Sequence, residues 1–222
     1  MTSTRSAYRV AALLFASGLL HLVVFAVDGG PWEGPVSWRK PVTFGLSFGL
    51  TLATYALVGT RLRLRHRWVW LFTAASVLEV GLITLQAWRR VPSHFNEATE
   101  VDAVVTRALT VGGVAIVVSV LALVAAAFRA RHLAPSMRLA VRVGTTTLAV
   151  ALAFGGLMIA ERGGSWKLSH GVAMHGVLLL PALAWALSST TWSEHKRTRT
   201  VALASIFHGV LIAAAAAYNA LV

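Results

Sequence analysis

Glu79 is the residue with the most chemistry to offer. It lies midway along an apolar run, 68–88, and a carboxyl group at the centre of a bilayer costs about 2.5–3.5 kcal/mol even on lenient insertion scales, so its default reading is functional. Apolar surroundings favour the neutral acid, the form a general acid needs. Gln86 follows two turns later on the same helical face, and Arg90 one turn beyond it. The three predict a polar stripe leading from mid-span to the loop RRVPSHFNEATEVD (89–102), which adds His94 and Asn96. The bland alternative is a neutral Glu79 that joins two helices by a hydrogen bond.

His21 and His175 are the candidate proton acceptors, at depths of about 9 and 6 Å inside their spans for a rise of 1.5 Å per residue. They are also candidate haem or metal ligands. His170 and His175 are separated by a turn of about 140°, so a regular helix cannot present both to one metal. The i,i+4 histidine pair of helical zinc sites is missing. Glu79, His21 and His175 therefore form the expected catalytic set, with no residue assigned to a metal. Arg39, Lys40, Gln86, His94, Asn96, Glu161, Arg162 and His170 are expected to bind the polar part of a substrate. The bland reading of the histidines is interhelical hydrogen bonding, and that of His94 and Asn96 is stapling of their own loop. His208 is expected on the opposite half of the bundle, as packing. Thr99 with Asp102, and Thr191 with Glu194, are capping-box patterns that start helices.

These side chains need a scaffold, and the composition allows one kind. Of 222 residues, 57% are hydrophobic and 13% charged, with a mean hydropathy of +0.70, far from the usage of a soluble domain. Apolar runs of about 20 residues, long enough to cross roughly 30 Å of hydrocarbon, recur near 8–27, 42–60, 68–88, 105–128, 139–160, 171–189 and 201–221. A backbone in lipid must satisfy its own hydrogen bonds. The expected fold is thus all-α, a polytopic seven-transmembrane-helix bundle forming a single domain over 1–222. The first run, behind Arg5 and Arg9, has some features of a signal peptide, but its length and His21 argue against cleavage. The absence of cysteine removes disulfides, iron–sulfur clusters and thiol chemistry.

Basic residues concentrate at one set of loop ends, in RLRLRHR (61–67) and RARHLAPSMR (129–138). That bias predicts a cytoplasmic N-terminus in the cell membrane, with those runs against anionic lipid at the inner face. Nucleic acid is not an expected partner, because no soluble domain or aromatic interleaving accompanies the charge. Asp28, Glu33, Glu97, Glu100, Asp102 and Glu161 then fall outside, so the outer loops mix both charge signs with aromatic side chains. Gly45 and Gly49 form a GxxxG pair expected to pack helices closely. Trp32, Trp38, Trp88 and Trp166 lie where an interfacial aromatic belt is expected.

WRKPVTFGLSFG (38–49), EVGLITLQAWRRVPSHFN (79–96) and SHGVAMHGVLLLPALAW (169–185) resemble the marks of a widespread, largely uncharacterised group of bacterial polytopic membrane proteins. Those marks are a KPxxFxxS segment, a QAxRGxxSHFN segment and an HxxxxH segment leading to Leu-Pro. Lys40, Pro41, Phe44, Ser47, Glu79, Gln86, Arg89, Ser93, His94, Phe95, Asn96, His170, His175 and Pro181 stand at matching positions. Arg90 departs from the pattern, which has glycine there. In size and span number the chain is also similar to small integral-membrane terpene cyclases, a likeness of architecture that carries little about function.

The expectation is an intramembrane acid–base enzyme that admits a lipidic or isoprenoid substrate from the outer leaflet into a polar pocket and needs no cofactor. A terpene-cyclase-like reaction suits a protonated carboxyl in a dry pocket. The alternatives are a haem- or metal-binding redox protein or hydrolase, and a non-enzymatic carrier or sensor.

Overall fold

The computed structural model describes residues 2–221, with side chains from Thr4 onward. Seven α-helices account for most of it: α1 (Thr2–Asp28), α2 (Arg39–Arg61), α3 (His66–Trp88), α4 (Glu100–Arg129), α5 (Pro135–Ala160), α6 (Lys167–Ser188) and α7 (Glu194–Leu221). All seven are long and apolar enough to cross a membrane, and no strand occurs among the described residues. Large apolar side chains such as Leu13, Leu20, Val111, Val114, Leu179 and Phe207 point outward along the helices. Exposed apolar surface of that extent suits hydrocarbon better than water.

The chain divides within α4 into two compact units, 1–119 and 120–222. In the first, α1, α2 and α3 pack against one another. The α1–α2 contact depends on missing side chains, as the GxxxG spacing predicts. A Cβ on Gly45 would stand 2.6 Å from the Gly18 nitrogen, and one on Gly49 would stand 2.8 Å from the Ala11 carbonyl oxygen. Backbone therefore touches backbone there, and no side chain can yield to make room. Ile83 on α3 packs with Val105 and Leu109 on α4, and Phe44 joins them from α2. The Tyr55 hydroxyl donates to the Ser119 carbonyl at 2.8 Å, and its ring stacks on Phe72 at 4.3 Å.

In the second unit α5, α6 and α7 pack together around Ala140, Leu180, Ala184, Leu187 and Val201. Pro181 lies inside α6 without ending it. Arg142 lays its guanidinium on the last carbonyls of α4, those of Ala127 and Phe128. A cation is favoured at a helix C-terminus, where the carbonyls lack partners.

Three helices end in the same way. Arg63, Arg90 and Arg162 follow α2, α3 and α5 with φ of 53°, 57° and 47°. After α3, the Arg90 nitrogen donates to the Ala87 carbonyl and the Val91 nitrogen to that of Gln86, each at 3.1 Å. This is the Schellman arrangement, which normally takes glycine at the left-handed residue. Arginine at this left-handed position accepts a strained backbone and gains side-chain contacts with Asp28 and Trp38.

Helix starts differ from the apolar runs. The α4 helix begins at Glu100 because Thr99 and Asp102 cap it reciprocally: the Asp102 nitrogen donates to Thr99 Oγ1 at 3.2 Å and that hydroxyl donates to Asp102 Oδ2 at 2.7 Å. The α7 helix begins at Glu194, about two turns before the apolar run. Thr191 does not cap it. Ser193 Oγ accepts from the Lys196 nitrogen at 3.4 Å, and the Glu194 carboxylate instead accepts from the Ser136 nitrogen at 2.8 Å, capping α5.

Candidate functional site

The loops 29–38 and 89–99 bring most of the expected polar residues of the first unit together at one end of α1, α2 and α3, in three groups. The first is centred on aromatic rings. Asp28 accepts from Trp38 Nε1 at 2.6 Å and from Arg90 at 2.7 Å, and the Arg90 guanidinium lies 4.9 Å over the Trp38 ring. Trp38 meets Trp88 edge-on at 5.0 Å, and Trp88 Nε1 donates to His21 Nε2 at 3.0 Å. His21 Nδ1 donates to the Ser17 carbonyl at 2.7 Å. Both ring nitrogens of His21 are thus engaged, and the residue is only 3% exposed. The roles expected of His21, proton acceptor or haem ligand, both use the Nε2 lone pair, which here faces Trp88.

The second group is a carboxylate network. Asp102, 2% exposed, accepts from Gln86 Nε2 at 3.0 Å and from Arg89 at 2.6 Å, and Arg89 also donates to Gln86 Oε1. The polar stripe of α3 therefore continues through Arg89. Arg90 leaves it, because the helix ends at Trp88 and the left-handed turn swings the next side chain toward Asp28. Asp102 serves as both cap and anchor, and only the first role was legible from spacing.

The third group adjoins a crevice. Lys40 Nζ donates to the Pro35 carbonyl at 2.9 Å and to Ser93 Oγ at 3.3 Å. Since an ammonium can only donate, the Ser93 hydroxyl passes its own hydrogen to His94 Nδ1 at 2.9 Å. Burial and the neighbouring Lys40 charge push His94 down to about 4. Asn96 staples its loop, accepting from the Ala98 nitrogen at 3.1 Å through Oδ1, and its carbonyl accepts from Thr106 at 2.8 Å. Arg39 pairs with Glu33 at 3.4 Å. The crevice between these loops and α3 encloses about 160 Å³ out to its mouth, is too narrow to admit a water molecule, and is lined by Ser37, Lys40, Ser93, Val91, Ile83 and Ala87, among others.

Glu79 lies one turn below Ile83 on α3, about 6 Å deeper along the axis. It is 5% exposed. Gly112 of α4 makes the room: a Cβ there would stand 2.5 Å from Oε1.

The remaining expected residues belong to the second unit. His170 Nδ1 donates to the Ala151 carbonyl of α5 at 2.7 Å, an interhelical bond. His175 is exposed, and its Nδ1 donates to the Gly171 carbonyl at 2.6 Å, leaving Nε2 as the nitrogen able to take a proton. Glu161 accepts from Trp166 Nε1 at 2.9 Å, and Arg162 occupies the left-handed turn after α5. His208 lies against Gly176, beside His175, and its buried Nε2 has no partner. Its expected place on the opposite half is corrected by the early start of α7, which puts residue 208 at mid-helix. No group of three or more His, Cys, Asp or Glu side chains able to hold a metal occurs among the described residues.

No family model matches the chain, and no curated protein or solved structure matches it either. Function therefore rests on the geometry of these residues.

Proposed function

We propose that the chain is a multi-pass enzyme of the cell membrane, N-terminus cytoplasmic, acting on a lipidic or isoprenoid substrate by proton transfer from Glu79. One observation supports this reading: a carboxyl buried at mid-span and seated in a notch left open by Gly112. Placing an ionisable group at that depth is costly, so it persists where it has work to do. The basic ends 61–67 and 129–138 support the orientation, facing anionic lipid at the cytoplasmic side.

The chemistry that suits the site is of the terpene-cyclase type. Glu79, as the acid, gives its proton to one carbon of an alkene; the π pair forms the new C–H bond and leaves the neighbouring carbon cationic. A second double bond closes on that cation. The Glu79 carboxylate then takes a proton from the carbon next to the final cation, which restores an alkene and the acid. Phe44, packed against Ile83 one turn above Glu79, offers a π face to the cation, and the dry interior keeps water from quenching it. Returning the proton to Glu79 gives the cycle a base without His21.

The test is turnover of prenylated substrates by membranes carrying wild type or Glu79→Gln. Loss of product in the variant supports the reading; full turnover removes Glu79 from the mechanism.

A further inference from the structure

The crevice under the α1–α2 loop has the parts of an anion seat with an apolar floor. Lys40 supplies an ammonium, held at 2.9 Å from the Pro35 carbonyl and 3.3 Å from Ser93 Oγ. Ser37 supplies a hydroxyl of another kind. The residue is 8% exposed, it lines the crevice, and its Oγ has no hydrogen-bond partner at all. A buried hydroxyl left unpaired costs about 1–3 kcal/mol, so it calls for an explanation. The first turn of α2 begins directly behind Ser37 at Arg39, with no side-chain cap, and adds the positive end of a helix dipole. Beneath these donors the wall is Ile83 and Ala87, which suits a hydrocarbon chain better than a hydrated ion.

We propose that this crevice is the seat of a phosphate-type head group, a lipid phosphate or diphosphate whose oxygens are bound by Lys40 and Ser37 and whose tail runs past Ile83 toward Glu79. The nature of the tail rests on the proposed lipid-directed activity; the anion seat does not. Filling it requires Lys40 to exchange the Pro35 carbonyl for a ligand oxygen and the loop over it to lift. Gly29, Gly30 and Gly34, with φ of 71°, 93° and 117° and no atom near where a Cβ would stand, give that loop its hinges.

The experiment is calorimetric titration of the full chain in nanodiscs of uncharged lipid with a C15 prenyl diphosphate, the corresponding C15 alcohol and inorganic diphosphate. The diphosphate ester binds, and the alcohol binds at least about tenfold more weakly, as expected for lost hydrogen bonds to a charged group. Ser37→Ala weakens the ester about tenfold without lowering the melting temperature, since this hydroxyl bonds nothing in the fold. Lys40→Met weakens it further. Displacement of the ester by inorganic diphosphate shows that the head group alone fills the seat, and failure to displace shows that the tail is needed; both support it. Equal affinity for ester and alcohol overturns it, as does unchanged affinity in Ser37→Ala and Lys40→Met. The titration reads binding without turnover, so lost binding and lost proton transfer are read separately.

Discussion

Glu79 and Gly112 fit each other across α3 and α4: the glycine leaves the space that the carboxyl group fills, with Oε1 2.5 Å from where a Cβ would stand. Glycine within a helix costs about 1 kcal/mol relative to alanine, so Gly112→Ala would stabilise α4 if packing did not intervene. The expected outcome is the reverse, a lower melting temperature. Glu79→Ala in the same chain relieves the closer contact and leaves the one with Leu78 Cδ2 at 2.7 Å, giving a coupling of about 1 kcal/mol in a double-mutant cycle. Additive effects would mean that the two side chains do not meet.

His94 makes a pH prediction. Its folded value of about 4 lies below the roughly 6.5 of an unfolded histidine, so the unfolded chain binds more protons between those values. Its contribution to stability is constant above about pH 7 and is lost as pH falls from 6.5 toward 4. His94→Asn keeps an acceptor for Ser93 and removes this part of the slope. Melting temperatures of both proteins across that range check it, and parallel profiles would place His94 in water.

Arg90 separates side-chain gain from backbone strain. Its left-handed φ of 57° costs a non-glycine residue about 1–2 kcal/mol. Its exposed pair with Asp28 and its seat over Trp38 return about 1 kcal/mol. Arg90→Ala loses the contacts and keeps the strain, whereas Arg90→Gly loses both. Chemical denaturation is expected to find the glycine variant more stable than the alanine variant by about 1 kcal/mol.

Asp102→Asn tests the network at the start of α4. It removes the charge that Arg89 faces at 2.6 Å while keeping an oxygen to accept from the Thr99 hydroxyl, and it leaves the bond from the residue-102 nitrogen to Thr99 Oγ1 in place. Because Arg89 is partly exposed and can turn to water, the expected loss is about 2 kcal/mol rather than the 3–5 of a fully buried broken pair. An unchanged stability would show that the pair contributes nothing beyond capping.

The seven helices were legible because hydropathy over about 20 residues is a strong signal, and GxxxG pointed correctly to the α1–α2 contact. Helix starts were less so. In α7 the polar turns EHKRTRT are helical but invisible to a search for apolar runs, and the resulting offset misplaced His208. Periodicity carried the stripe from Glu79 to Gln86 but failed at Arg90, since the repeat ends where the helix does. The partner of His21 is Trp88, far along the chain, and no local spacing announces such a bond. Ser37 is legible in the sequence only as one polar residue of the outer loops, because what distinguishes it is a missing partner in three dimensions.

Proton transfer from Glu79 is tested most directly by measuring product formation from prenylated substrates with wild type, Glu79→Asp and Glu79→Gln in equal amounts of folded protein. The account predicts that Glu79→Gln loses at least about a hundredfold in turnover, the usual contribution of a general acid, while Glu79→Asp retains part of it. Turnover by Glu79→Gln equal to wild type would contradict it.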